Sequence, residues 1–108
     1  MASKKSAPIA TVRVIGKTYK LLEVDNLDNQ GLCEDDKQQI SIRKGMPIES
    51  WADTIIHEVT HAIDFNLKLG LTERQVHCIG SGLWAMLADN PELTQRICAA
   101  ALQQSRGK

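Results

Sequence analysis

The order of hydrophobic and polar positions divides the chain into a β-prone first part and a helical second part. Before residue 45, short runs rich in Val, Ile, Leu and Tyr are separated by polar turn residues, a pattern typical of strands joined by turns. β-prone segments broken at Gly16-Lys17 predict a hairpin, and residues 31–33 and 39–43 predict two further strands on either side of an acidic turn. We therefore expect a small antiparallel sheet of three or four short strands.

The spacing of apolar residues changes after residue 45, where they recur every three or four positions. This period is that of a helix with one face in a core. The first helix is predicted to begin at Pro47 or Ser50 and to run to about Lys68, with Gly70 as the residue that ends it. Its apolar positions are Trp51, Ile55, Ile56, Val59, Ala62, Ile63 and Leu67.

A second helix is predicted from a capping pattern. Thr72 is followed three residues later by Gln75, as in a capping box, and Asn90-Pro91 ends the helix. Gly80 and Gly82 each weaken this helix by about 1 kcal/mol relative to Ala. Two such residues indicate that the backbone is approached closely there, most simply by the first helix.

A third helix is predicted from Pro91 to about residue 104. Its segment 97–102 is a nearly continuous apolar run, which favours packing on the core over a dimer contact. The predicted fold class is therefore α+β, with the small sheet first and three helices after it.

Length and charge indicate one domain with no electrostatic footprint for nucleic acid. With 108 residues, the chain is near the common size of a single domain, and we expect a disordered leader at 1–8 followed by one domain at 9–108. Thirteen basic and thirteen acidic side chains cancel, and apart from Lys4-Lys5 the basic ones are dispersed. Binding to nucleic acid or to a membrane surface is not expected. The oligomeric state stays open.

The cysteines favour a reducing compartment. Cys33, Cys78 and Cys98 are odd in number, lie far apart and form no C-x-x-C pair, which fits reduced thiols better than a disulfide framework. Residues 1–8 are polar and are not followed by the continuous apolar segment of a signal peptide, and no apolar stretch has the length of a membrane span. A cytoplasmic location is the expectation.

The strongest chemical signal lies in the first predicted helix, where two histidines flank a glutamate. The segment His57-Glu58-Val59-Thr60-His61 has the H-E-x-x-H pattern. A spacing of four residues places both imidazoles on one helix face, where they can share one Zn²⁺, and Glu58 beside the water-bearing position can act as a general base. Two of only three histidines in the chain belong to this motif, so a chance occurrence is the weaker interpretation.

Two residues of the second helix compete for the role of third metal ligand. Glu73 lies twelve residues after His61, and zinc sites of the His2Glu type take a glutamate from a later element; its alternative role is to complement the helix dipole. His77 lies one turn further along the same face and is the alternative ligand. If it is not a ligand, His77 can donate a hydrogen bond to the oxyanion of a tetrahedral intermediate.

Asp64 is a candidate for orienting a metal ligand. It lies three residues after His61 and seven after His57, so it shares their helix face. Its carboxylate can accept a ring N–H from one of these histidines and fix the tautomer. The alternative is a solvated carboxylate on the helix surface.

These segments resemble a known group of enzymes. The residues that carry the resemblance are Gln39-Ile40-Ser41-Ile42, the stretch HEVTHAID, Leu71-Thr72-Glu73-Arg74-Gln75-Val76 and Asp89-Asn90-Pro91. Over about residues 10–91 the chain resembles the small phage-type zinc metallopeptidases related to minimal gluzincins and to the ImmA/IrrE group. The resemblance implies a zincin-like fold in which a short sheet flanks the active-site helix, with zinc held by His57, His61 and Glu73 and with Glu58 as the base. It also suggests a phage or prophage origin.

The predicted function is that of a zinc metalloendopeptidase. It would hold one Zn²⁺ and hydrolyse peptide bonds through a zinc-bound water activated by Glu58. In related zincins an edge strand beside the cleft binds an extended substrate by strand addition. The segment best placed in the sequence for this role consists of Gln39, Ile40, Ser41, Ile42 and Arg43. The identity of the peptide or protein substrate stays open.

Two other interpretations use the same histidines. In the first, zinc serves only folding, and the chain is a latent or non-catalytic interaction protein. In the second, the site binds iron, nickel or copper, although Glu58 then has no evident role in oxygen chemistry. A structural metal site needs no base at position 58, so the behaviour of a Glu58→Gln variant separates an enzyme from a structural protein.

Overall fold

Four strands followed by three helices make up the secondary structure of the computed structural model, which describes residues 8–107. The elements are β1 (Ala10–Val14), β2 (Lys17–Val24), β3 (Gly31–Glu34), β4 (Gln39–Arg43), α1 (Ile48–Leu67), α2 (Glu73–Asp89) and α3 (Pro91–Arg106). The prediction of an α+β protein with the sheet first is confirmed. Apart from Pro8, the predicted leader lies outside the described residues.

The predicted hairpin forms, and the two further predicted strands pair with each other. β1 pairs with β2 antiparallel, and β3 pairs with β4 antiparallel. Between β1 and β2, Ile15 and Gly16 have φ values of 49° and 81°. Positive φ at both central residues is the requirement of the two-residue turns whose twist matches that of a hairpin, so the glycine at position 16 supplies what the local geometry needs.

The sheet as a whole is mixed, and the prediction of an antiparallel sheet is wrong in this respect. The strand order is β1-β2-β4-β3, and β4 lies parallel to β2. β4 lies between β2 and β3, and this central position matches its burial. Its three middle residues are nearly inaccessible to solvent, with exposed fractions of 1% for Ile40, 4% for Ser41 and 0% for Ile42.

The core lies between one face of the sheet and α1. Its buried members are Val14, Tyr19, Leu21, Ile40, Ile42 and Ala62, with Val12, Cys33, Met46, Trp51, Ile55, Val59 and Ile63 packed against them. The hydroxyl of Tyr19 donates a hydrogen bond to Asp35 Oδ1 (2.6 Å) and accepts one from Asn66 Nδ2 (3.1 Å). The bond from Asn66 ties the sheet to the C-terminal end of α1, so the helix is fixed both by apolar packing and by a partly buried polar contact.

α2 begins at the predicted capping box. Gln75 N donates to Thr72 Oγ1 (3.1 Å), and Thr72 N donates to Gln75 Oε1 (2.9 Å), so two otherwise unpaired amide groups are satisfied. At Gly80 the expected close approach is present, because a Cβ atom there would lie 3.3 Å from His57 Cα. At Gly82 the expectation is wrong, because an added Cβ would meet nothing within 4 Å.

The two helix glycines give a matched pair of substitutions. We expect Gly82→Ala to raise the free energy of unfolding by about 0.5–1 kcal/mol, since it removes backbone entropy from the unfolded chain and meets no neighbour. Gly80→Ala should give no gain or a loss, because the new methyl group presses on the α1 backbone at His57. Urea unfolding followed by circular dichroism measures both, and an equal gain at the two positions would contradict the packing described.

α3 does not enter the core, contrary to the prediction for its apolar run. It contains no buried residue, and Leu93, Ile97 and Leu102 are 48%, 44% and 58% exposed. The sheet and α1 already close the core between them, so α3, which follows α2 directly, reaches only the flank of the α1–α2 pair. Among residues 8–107, no helix is both long and apolar enough to cross a membrane.

Candidate metal centre

α1 carries the two motif histidines on the face that it turns toward α2. The ring centroids of His57 and His61 are 4.9 Å apart, as the spacing of four residues on a helix requires. Both side chains are about one-fifth exposed, at 21% and 20%. Most of each side chain is covered by neighbouring residues, and its Nε2 atom meets Glu73.

Glu73, the first residue of α2, completes a triad with these histidines. Its Oε2 lies 3.0 Å from His57 Nε2, and its Oε1 lies 3.0 Å from His61 Nε2. The candidate ligand atoms of the three residues all lie within 4.8 Å of one another. Ligands around a tetrahedral Zn²⁺ are about 3.4 Å apart, given metal–ligand bonds of about 2.0–2.2 Å. The donor set suits such an ion, and small side-chain movements would bring its atoms to that spacing.

His77 lies beside the triad and does not belong to it. Its ring centroid is 6.0 Å from that of His57, and it lines the same cleft as the triad. Among the residues that the structure describes, the cluster of possible ligands contains Glu73 and not His77. Of the two alternatives from the sequence, the geometry therefore favours Glu73 as the third ligand and leaves His77 free for another role.

The turn between α1 and α2 decides which residue of α2 reaches the histidines. Lys68 ends α1 with a left-handed backbone, at φ 55°, and Gly70 also has positive φ, at 72°. Asp64 secures this turn, because its Oδ1 accepts a hydrogen bond from Leu71 N (3.1 Å) and its carbonyl accepts one from Leu69 N (3.1 Å). The chain direction reverses within this short turn, so Glu73 begins α2 opposite His57.

The predicted role of Asp64 is corrected by this geometry. Within residues 8–107, no hydrogen bond joins its carboxylate to the ring of His57 or His61, and its partner is the backbone of Leu71. Asp64 is buried, at 8% exposure, so it is not a solvated surface carboxylate either. Asp64 therefore fixes the turn that leads into Glu73.

Glu58 lies against the sheet next to the triad, and it is buried, at 5% exposure. Burial and, after it, the negative charge of Glu73 raise the pKa of Glu58 to about 7, against an opposing hydrogen bond from the Cys33 backbone. A carboxyl group with a pKa near neutrality is suited to take up and release a proton at physiological pH.

The first residue of β3 makes room for Glu58. A Cβ atom on Gly31 would lie 2.6 Å from Thr54 Cγ2 and 2.9 Å from Glu58 Oε2, closer than unstrained atoms approach. A glycine is therefore needed where the strand crosses α1. Because its contact is with the carboxylate itself, Gly31 also limits where that carboxylate can lie.

Gly31→Ala should therefore disturb the site more than the fold. The added methyl group has to displace Thr54 or the Glu58 carboxylate, so we expect a loss of about 1–3 kcal/mol in the free energy of unfolding and at least about a tenfold loss of any activity that depends on Glu58. Gly82→Ala, which meets no neighbour, is the matched control. Full activity in a folded Gly31→Ala protein would show that the position of Glu58 is not restricted by β3.

The triad opens into a cleft of about 480 Å³ between α1, α2 and the start of β3. It is lined by Asn29, Gln30, Gly31, Leu32, Asp53, Thr54, His57, Glu58, His61, Glu73 and His77. The loop before β3 is held in place by Arg43, whose Nε donates to Leu27 O (3.0 Å) and whose Nη2 donates to Asp28 O (2.8 Å). Among the described strands, β3 pairs only with β4 and is the last in the sheet order, and its first two residues, Gly31 and Leu32, line the cleft.

The strand predicted to bind substrate is not the strand at the cleft. Gln39, Ile40, Ser41, Ile42 and Arg43 form β4, which is paired with β2 on one side and with β3 on the other. No edge of β4 is left to accept an added strand, so the prediction of strand addition at these residues is wrong. The edge beside the centre belongs to Gly31–Glu34.

Several lining residues were not singled out in the sequence. Asp53 lies four residues before His57, a spacing that already places it on the same helix face, and an isolated glycine at the start of a strand, as at Gly31, is a signal for close backbone approach. Cys33 also lies nearby, but burial and the neighbouring Glu58 charge raise the pKa of its thiol to about 12. A thiol of that pKa is not a nucleophile at neutral pH.

Comparison with known proteins yields no relative: no family description, curated protein or solved structure matches this chain. The function therefore has to be inferred from the residues of the chain itself.

Proposed function

We propose that this protein is a zinc-dependent peptidase that hydrolyses peptide bonds in the cleft between α1, α2 and β3. The observation that carries the proposal is the juxtaposition of the triad His57, His61 and Glu73, whose ligand atoms lie within 4.8 Å of one another, with a buried carboxyl group at Glu58. A metal-binding triad and a base meet at one side of one cleft. The resemblance of the motif segments to small HExxH metallopeptidases agrees with this proposal.

The ligand set favours zinc in a catalytic site over zinc in a structural one. Structural zinc sites have four protein ligands, usually with cysteines, whereas catalytic sites have three ligands of histidine and carboxylate type and leave a position open. The triad supplies three such ligands, and Glu73 is 70% exposed, so the fourth side is accessible from the cleft. None of Cys33, Cys78 and Cys98 belongs to the cluster formed by the described residues.

The zinc ion, Glu58 and His77 have separate roles in the proposed hydrolysis. Bound zinc supplies a Lewis acid that lowers the pKa of a coordinated water and polarises a carbonyl group. Glu58 accepts the proton of the attacking water and then delivers it to the leaving amine, a role that its buried position beside the triad allows. His77 lines the same cleft and is within reach to donate a hydrogen bond to the oxyanion that develops on the carbonyl.

The free edge of β3 is the place where we propose that the substrate backbone binds. An extended peptide can add to a strand edge through main-chain hydrogen bonds. Because the Cys33 backbone already donates a hydrogen bond to Glu58, we place the added peptide at the Gly31 end of β3. Gly31 and Leu32 line the cleft, and Gly31 lies against Glu58, so a peptide bound along this edge passes the proposed base. We therefore propose that the substrate binds along β3, and not along β4 as the sequence suggested.

Metal analysis combined with a peptide library tests the proposal. The purified protein is expected to contain about one zinc per chain and to cleave members of a diverse library of unstructured peptides, with cleavage stopped by a chelator and restored by added zinc. Tightly bound iron in place of zinc would overturn the metal assignment. Zinc without cleavage of any peptide would overturn the peptidase.

A second candidate is a metal-stabilised interaction protein, and α3 is the observation that favours it. The helix buries no residue, and together with α1 and α2 it encloses an apolar hollow of about 270 Å³, lined mainly by Ile56, Val59, Ile63, Leu83, Met86, Leu87 and Ile97. Exposed apolar surface of this kind is typical of interaction sites. This candidate requires the metal for folding and makes no use of Glu58 as a base, so loss of hydrolysis without loss of metal in Glu58→Gln counts against it.

A further inference from the structure

The cleft is acidic although the chain as a whole is neutral. Thirteen acidic and thirteen basic side chains balance over the sequence, yet the residues that line the cleft include Asp53, Glu58 and Glu73 and, within residues 8–107, no Lys or Arg. The two signs of charge are thus separated at this one place. A surface of mixed charges would not select a ligand by its charge, but this cleft can.

Two of the three acidic residues have a task in the proposed centre, and the third does not. Glu73 and Glu58 together balance the charge of a divalent cation held by the triad. Asp53 neither belongs to the triad nor lies in an ion pair with any Lys or Arg of the part of the chain that the structure describes. Its carboxylate is therefore available to pair with a positively charged group that enters the cleft.

The position of Asp53 places this charge beside the substrate path. It lies four residues before His57 on α1, which is about 6 Å along the helix axis and on the same face. The next residue, Thr54, is the one closest to Gly31 at the start of β3. Asp53 therefore lines the cleft one helical turn from His57 and directly before the residue that meets the start of β3.

We propose that Asp53 is a specificity-determining residue that binds a positively charged group of the substrate close to the scissile bond. This inference rests on the proposed function. The group is an ammonium or guanidinium, supplied either by a Lys or Arg side chain or by a free α-amino terminus. For the same reason, the cleft disfavours substrates that carry a carboxylate next to the scissile bond, because no Lys or Arg of the described part of the chain lines it.

The experiment compares matched peptides on matched variants. Peptides differ only in carrying Lys, norleucine or Glu at each position around the cleaved bond, and each is made with a free and with an acetylated N-terminus, so that side-chain and terminal amines are tested apart. The variants are native protein, Asp53→Asn and the control Asp89→Asn, which removes a charge at the far end of α2, about 24 Å along the helix from Glu73. The readouts are kcat/KM and, independently of catalysis, the Kd of each peptide for zinc-loaded protein in the Glu58→Gln background.

We expect native protein and Asp89→Asn to prefer the cationic peptide over its neutral match about fivefold, as one partly exposed ion pair allows. Asp53→Asn should lose this preference, and high salt should remove it from native protein. Equal values for Lys and norleucine peptides in native protein, or an unchanged preference in Asp53→Asn, overturn the inference while cleavage itself upholds the peptidase. If no peptide is cleaved, the proposed function fails, and the Kd values alone decide whether Asp53 selects a cation.

Discussion

Replacement of Glu58 by glutamine is expected to abolish hydrolysis and to leave the metal in place. The amide keeps the size of the side chain and so its place beside Gly31, but it cannot act as a base. A positioned general base contributes about 10²–10⁴-fold to a rate, and we expect kcat to fall by that factor. The metal ligands His57, His61 and Glu73 are unchanged, so zinc content should stay at about one per chain.

This result is measured by elemental analysis and by single-turnover cleavage of a peptide that native protein cuts. The unfolding transition of the variant serves as the control for its fold. It should be unchanged or slightly raised, because removal of a buried carboxyl group also removes its desolvation penalty. Hydrolysis at the native rate in a zinc-loaded Glu58→Gln protein would rule out the proposed role of this residue as the base.

Replacement of Glu73 by alanine should weaken zinc binding, whereas Glu58→Gln should leave it unchanged. Its two carboxylate oxygens each lie 3.0 Å from a motif histidine, so the substitution removes the residue that joins the two imidazoles across the helix pair. Loss of an outer-shell partner of a metal site already costs about 10–100-fold in affinity, and loss of a direct ligand should cost at least that much. Hydrolysis should disappear together with the zinc.

The control for Glu73→Ala is His77→Ala, which tests the competing ligand on the same helix face. We expect it to keep its zinc and to lose activity only in kcat, because it lines the cleft without joining the ligand cluster. Zinc titration with a chromophoric chelator gives the affinity of both variants. If His77→Ala lost its zinc and Glu73→Ala kept it, the ligand assignment would be reversed.

Local features of the sequence predicted local features of the structure well. The capping box at Thr72 and Gln75, the turn at Gly16 and the helix that carries the motif all depend on residues within a few positions of one another. The choice of Glu73 over His77 depends on how the turn is made. The sequence predicted that α1 runs to about Lys68 and that Gly70 ends it, but it did not show that Asp64 would fix the turn that leads into Glu73.

The predictions that were wrong concern contacts between distant parts of the chain. The sequence of β4 does not show that its neighbours are β2 and β3. Over only five residues, the hydrophobic pattern of an edge strand and that of a central strand look alike. The same holds for α3, where an apolar run does not state which surface will cover it. At Gly82 the low helix propensity of glycine was read as a packing signal, but no neighbour is present there.

The centre is assembled from two parts with different histories in folding. The proposed ligands all come from two consecutive helices joined by the turn that Asp64 secures, so the coordinating half requires only contacts between neighbouring segments, which form early and cheaply in entropy. The environment of Glu58, by contrast, depends on Gly31 and Cys33 of a strand far back in the chain. A helical hairpin that has lost its sheet would still capture the ion and would be stabilised by it through mass action. Without Glu58 in its place beside β3, the hairpin would hold the ion but would not catalyse hydrolysis. In the proposed centre, the sheet is therefore required for the reaction and not for metal binding.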